Sequence, residues 1–151
     1  MLDNPIIQID NFFPQVMYDT ILEDSKHGWE NRDTYIYKDL NNSFFTKDCV
    51  NYMRSKFNNN ITLYRGYAHG YLIHDHHTHQ DVNSTHTAIL FVAKEYDKDW
   101  LGRTIVDDNY LPFFPNRLII FEANLFHVGS NFQNTKNFRI QYIWKINKEI
   151  K

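Results

Sequence analysis

The 151-residue chain contains one cysteine, Cys49, so no disulfide can form within it. A disulfide framework is therefore excluded as its source of stability, and the composition suits a reducing compartment. Glycine and proline are scarce, at five and four residues, which leaves little material for long flexible linkers. No apolar run is long enough to span a bilayer. The opening Met1-Leu-Asp-Asn-Pro5 also lacks the basic-then-apolar order of a secretory leader. These absences lead us to expect a cytoplasmic protein with no membrane association. Neither sign of charge is in excess, the formal net charge being −2, so neither a basic nucleic-acid surface nor a disordered acidic tail is indicated.

Aromatic side chains are plentiful, at 17% of the chain. They bury large areas and favour strands, and the length is sufficient for one domain with a genuine core. Pro5 to Asp10 reads as a short strand, followed by a turn at Asn11-Phe-Phe-Pro14. Pro14 suits the start of a helix, where a missing N–H costs nothing, and the pattern predicts a helix from about Pro14 to Ser25. Val50, Met53 and Phe57 recur at helical spacing and predict a second helix over about 46–57. From Ile61 on the texture changes to short β-rich runs, with strands expected at 61–67, 87–93, 103–106, 117–121 and 138–146. Helices first and strands afterwards imply an α+β chain, mainly β, built as a sandwich or open barrel. The stretch between His27 and Thr46 is the segment with enough length to help form a lid.

Eight histidines are present, five of them between His74 and His86. Most isolated histidines are ordinary polar residues, and a loop with chance histidines remains open here. His79-Gln80-Asp81 has the informative spacing. In an extended strand, residues i and i+2 face the same way, so an imidazole and a carboxylate can meet one metal ion. A third ligand must come from elsewhere. His127 is the leading candidate, because it follows the strongly β-forming Arg117-Leu-Ile-Ile-Phe121 and a short turn. Two histidines and one carboxylate on one face are the ligand set of non-haem iron(II) oxygenases. In Phe138-Arg-Ile-Gln-Tyr-Ile-Trp144, alternation puts Phe138, Ile140, Tyr142 and Trp144 on one face and Arg139 with Gln141 on the other. If the apolar face packs on the helices, Arg139 points into the mouth of the sandwich. A guanidinium there needs an anionic partner, and a carboxylate ligand would supply one.

These residues resemble the 2-oxoglutarate/iron(II)-dependent dioxygenases of the prolyl 4-hydroxylase-like type, especially small phage and bacterial members. The likeness runs from about Ile61 to Ile146. His79-Gln-Asp81 is similar to the metal motif and Thr87 to Ala93 to the core strand after it. Trp100-Leu-Gly-Arg-Thr104 is similar to a Trp-Gly-Gly-x-Thr turn, and Leu111 to Phe121 to a Pro-x-x-Asn-Arg-Leu strand. His127 occupies the distal histidine position and Arg139 that of the arginine gripping the far carboxylate of 2-oxoglutarate. Ile9 to Pro14 looks like the start of such domains. The pattern departs at Leu101, where a glycine is common, at Arg103, where an acidic residue is common, and at Gln141, where a small hydroxyl residue is frequent. A second register is open, with Gly70-Tyr71 leading to His74 and with His76 in place of the aspartate.

The resemblance implies a double-stranded β-helix, or jelly roll, over about 61–146, braced by the helices of about 1–60, within one domain spanning 1–151. It implies Fe(II) on His79, Asp81 and His127, with 2-oxoglutarate as cosubstrate on Arg139, Tyr71 as a hydrogen-bond donor to it, and O2 as oxidant. It also implies hydroxylation of a C–H in a prolyl peptide, free amino acid or other small metabolite. His74, His76, His77 and His86 are then rim or supporting residues. A cupin-like metal enzyme of another class and a non-catalytic metal-binding module are the alternatives. The first would have no use for a carboxylate clamp at Arg139. Oligomeric state is not legible.

Overall fold

A computed structural model describes residues 4–57, 60–71 and 77–148. Strand β1, Ile6–Ile9, leads into helix α1, Gln15–Asp24. Pro14 sits one position before the helix in an extended conformation, where its fixed φ and absent N–H cause no loss. The stretch between His27 and Thr46 forms a hairpin of β2, Glu30–Arg32, and β3, Tyr35–Asp39. Helix α2, Phe44–Phe57, follows, then the long strand β4, Ile61–Tyr71, and β5, His86–Val92. The remaining strands are β6, Arg103–Val106, β7, Asn109–Pro112, β8, Leu118–Glu122, β9, His127–Ser130, and β10, Arg139–Lys148. All five strands expected after Ile61 are present. β2, β3, β7 and β9 are additional.

The strands form two antiparallel sheets. The larger has the order β1-β8-β5-β10-β4-β3-β2 and the smaller β7-β6-β9. His79 extends the smaller sheet by bridging to His127 at the free edge of β9. The expected jelly-roll architecture is thus observed, with an open side rather than a closed barrel.

Alternation assigns each face of the larger sheet to a different core. Ala88, Leu90 and Val92 of β5, with Tyr142, Trp144 and Ile146 of β10, pack against Tyr18 and Ile21 of α1 and Val50, Met53 and Phe57 of α2. The odd-numbered residues Ile89, Phe91 and Ile143 instead meet Val106 and Leu111 of the smaller sheet. The helices therefore brace the outer face, and the inner face is left for the second sheet. Two motif residues tie the N-terminus to this frame. Asn116, at φ 59°, accepts from the Phe13 N–H at 3.1 Å and donates to the Phe13 carbonyl at 2.8 Å. Arg117 grips Asp10 through two hydrogen bonds of 2.5 and 3.0 Å. Among the described residues no helix is long and apolar enough to cross a membrane.

Candidate metal centre and cosubstrate cavity

His79, Asp81 and His127 converge between the sheets. Their ligand atoms all lie within 4.8 Å of one another. His79 Nε2 is 3.8 Å from Asp81 Oδ1, and His127 Nε2 is 3.4 Å from Asp81 Oδ2. The backbone enforces this meeting. The His79 and His127 amides exchange hydrogen bonds of 3.0 and 2.9 Å, and the Asp81 N–H donates to the Ala123 carbonyl at 2.8 Å. The loop carrying the His-x-Asp pair is thereby pinned to β9 and to the turn before it.

Protonation states suit a metal. His79 Nδ1 faces the His77 carbonyl at 3.0 Å, and His127 Nδ1 faces the Leu125 carbonyl at 2.9 Å. A carbonyl only accepts, so each Nδ1 carries a proton, and Nε2 is the nitrogen that each ring turns toward Asp81. Burial, opposed by the Leu125 carbonyl and Asp81, holds His127 below the ordinary imidazole pKa, which keeps the ring neutral. Burial also disfavours charge on Asp81, but Lys145, Thr87 and His127 together outweigh it and hold its pKa below the usual value. Two imidazoles and one carboxylate are the donors of a non-haem iron(II) site, so the residues fit that ion. His74 and His76, the alternative register, lie outside the described residues. His77 lines the cavity. His86 belongs to the opposite face of β5, with Ala88, so it is not a rim residue of this site.

The centre opens into a cavity of about 260 Å³ lined by Tyr67, Tyr71, Thr104, Gly129, Gln141 and Lys145 among others. Arg139 stands behind the wall made by Thr104, Gly129 and Gln141 and is fully buried. Its Nη1 donates to Gln141 Oε1 at 2.8 Å. Its Nη2 donates to Thr104 Oγ1 at 2.7 Å and to the Arg103 carbonyl at 3.2 Å. Its Nε has no hydrogen-bond partner among the described residues. All of these acceptors are neutral, and no carboxylate pairs with Arg139 among the described residues. Burial draws its pKa down to about 10, so it is still a cation at neutral pH. Tyr71 lies directly across the sheet from Arg139, and its hydroxyl contacts His69 Nδ1 at 2.5 Å.

Two departures from the family-like pattern acquire reasons. Gln141 is an acceptor for Arg139. Leu101 occupies the left-handed region at φ 58°, the conformation for which glycine is the usual residue. Lys145 is the important residue that the sequence reading passed over. It continues the alternation Arg139, Gln141, Ile143, Lys145, and its ammonium bonds to Asp81 Oδ2.

No family profile matches the chain, and no curated protein matches it in sequence. Solved structures do. An oxidoreductase of the 2OG-Fe(II) oxygenase family from Burkholderia pseudomallei superposes with a TM-score of 0.72 at 11% identity, over 95% of this chain and 84% of that one. The fold is that of the 2-oxoglutarate/iron(II) oxygenases. The viral collagen prolyl hydroxylase of Paramecium Bursaria Chlorella virus-1, in complex with 2-oxoglutarate, gives 0.69 at 12% identity over 98% of both chains. HygX from Streptomyces hygroscopicus, with nickel and 2-oxoglutarate bound, gives 0.72 at 8% identity, over 95% of this chain and 82% of that one.

Proposed function

We propose that the chain is a 2-oxoglutarate- and iron(II)-dependent dioxygenase, one domain over 1–151, that hydroxylates an unactivated C–H. The observation that carries this reading is Arg139. A fully buried guanidinium whose acceptors among the described residues are all neutral is costly unless an anion completes it. It stands behind the cavity that holds a two-histidine, one-carboxylate cluster. A metal ion at one end and a guanidinium at the other is what a short dicarboxylate such as 2-oxoglutarate requires.

His79, Asp81 and His127 would hold Fe(II), which supplies oxygen activation coupled to conversion of 2-oxoglutarate into succinate and carbon dioxide. The chain's own residues bind and orient. Arg139 offers its planar fork to the C5 carboxylate, with Thr104 and Gln141 fixing the guanidinium plane. Tyr71, protonated because burial raises its pKa to about 12, keeps a phenol donor on the cavity wall. Ile89 and Ile143 line the same cavity and exclude water from it.

The substrate presents a single group to this centre. A cavity of about 260 Å³ is small for a cosubstrate and a whole second ligand together, since ligand pockets usually run to about 300–1,000 Å³. Neighbours of this fold have been solved with a peptide fragment of hypoxia inducible factor and with hygromycin B. A prolyl peptide, an amino acid side chain or a pendant group of a larger metabolite suits the present chain. The test is anaerobic loading with Fe(II), addition of 2-oxoglutarate and O2, and measurement of succinate. Turnover that needs all three and disappears in Asp81→Ala supports the reading. Absence of Fe(II) binding by the purified chain sinks it.

A further inference from the structure

Asp81 is held by more than its two histidine neighbours. Its Oδ2 accepts from Lys145 Nζ and, at 2.5 Å, from Thr87 Oγ1, and Lys145 also donates to Thr87 Oγ1 at 3.2 Å. Lys145 and Thr87 are directly paired between β10 and β5, and Arg65 faces Lys145 from β4. The register of β4 slips just past this point, between Lys145 and Ile146, so that Tyr64 is left as an extra residue. Such bulges twist a strand and re-aim side chains beside sites. The Lys145 side chain is buried at 9% exposure, and its ammonium lies 6.0 Å from the Tyr67 ring centre. This lysine is thus locked by packing and by three elements onto a carboxylate that has other partners waiting.

Resting on the metal reading above, we infer that Lys145 is a positioning residue that sets the strength of metal binding. It occupies Oδ2 together with Thr87, which leaves Oδ1, the oxygen nearer His79, to be presented to an ion. Its fixed positive charge, one carboxylate away, repels the dication that Asp81 attracts. The cluster without Lys145 would offer one formal negative charge to the metal. With Lys145 it offers none. The site therefore binds its metal in an exchangeable way, and the lysine is the cause.

The experiment is a Mn(II) titration of the full chain, followed by electron paramagnetic resonance of the free ion, on wild type, Lys145→Gln, Lys145→Arg and Asp81→Ala. Glutamine keeps a donor for Asp81 and Thr87 while removing the charge. Lys145→Gln is expected to bind Mn(II) about tenfold tighter or more, because a full like charge close to the ion is removed from a poorly screened position. Lys145→Arg keeps the charge and is expected to stay near wild type. General damage to the site only weakens binding, so tightening is not a result that a merely structural lysine produces. Unchanged or weaker binding in Lys145→Gln, with a native circular dichroism spectrum, overturns the inference. If that variant does not fold, Lys145→Met decides by the same criterion. If wild type fails to bind, or Asp81→Ala binds as well as wild type, the metal reading itself falls, and this inference with it.

Discussion

The guanidinium of Arg139 rests against the bare backbone of Gly129: a Cβ at position 129 would lie 3.0 Å from Nη1. β9 carries both the distal histidine and this glycine, so one strand sets the metal end and clears room for the anion end. Gly129→Ala is expected to push the guanidinium out of its fork geometry. The 2-oxoglutarate concentration for half-maximal succinate formation should rise severalfold while Mn(II) affinity stays unchanged. An unaltered 2-oxoglutarate requirement would show that the Gly129 contact does not serve the clamp.

Arg139 itself separates binding from stability. Losing a charge-assisted hydrogen bond costs about 1.5–3 kcal/mol, so Arg139→Lys should weaken 2-oxoglutarate roughly ten- to hundred-fold. Arg139→Ala should nearly abolish turnover, with metal binding retained in both. Arg139→Met removes a buried charge that has only neutral partners among the described residues. Its Tm without cosubstrate is expected to match or exceed wild type. Wild type at a hundredfold excess over Kd should gain about 2.7 kcal/mol from 2-oxoglutarate, whereas Arg139→Met should gain nothing. Thermal melts with and without 2-oxoglutarate read both effects.

Leu101 bears a conformational cost. It follows the short 3-10 helix Lys98–Trp100 at φ 58° and ψ 14°, and its side chain is 54% exposed, so little packing compensates. Leu101→Gly should stabilise the protein by about 1 kcal/mol, which for a chain of this size is roughly 2–4 °C in Tm. A fall in Tm would mean that the exposed leucine packs better than its surface suggests. The adjacent Gly102 behaves in the opposite way. A Cβ there would come 2.4 Å from the Phe132 ring, so Gly102→Ala should destabilise the protein by about 1–3 kcal/mol, as overpacking typically does, and lower Tm accordingly.

Cys49 is expected to be chemically silent in the folded protein. Burial, with a smaller contribution from Asp48, pushes its thiol up to about 12. A raised thiol pKa means the protonated, non-nucleophilic form prevails throughout the neutral and mildly alkaline range. Ellman's reagent at pH 8 should therefore report no accessible thiol in native protein and one after denaturation. Rapid native labelling would contradict the buried placement on α2.

Strand alternation is a local property, and it was sufficient to read several features from the amino-acid sequence. The placement of Ile140, Tyr142 and Trp144 toward the helices and of Gln141 on the cavity wall follows from period two alone, and Arg139, on the face of Gln141, is buried behind that wall. Phe138 lies just before the strand and is 40% exposed, because the alternation has not yet begun there. The His79–Asp81 spacing likewise placed two ligand atoms on one side. The hairpin of β2 and β3 left almost no such mark. Glu30-Asn-Arg32 is polar and exposed, so it has no apolar alternation to detect, and it is held by pairing with β3, which in turn pairs with β4.

Convergence was beyond local pattern. Which histidine joins His79 and Asp81 depends on the His79–His127 bridge, formed between segments 48 residues apart by subtraction of their numbers. That Lys145 reaches Asp81 depends on β10 lying between β4 and β5 in one particular register. That Arg139 finds only neutral partners among the described residues depends on β6 and β9 closing over it from the second sheet. Which face each residue takes is written locally in the chain, because the pleat repeats every two residues wherever a strand forms. Which faces meet is set in three dimensions, because strand order and register follow from burial of the whole chain and not from any window of it.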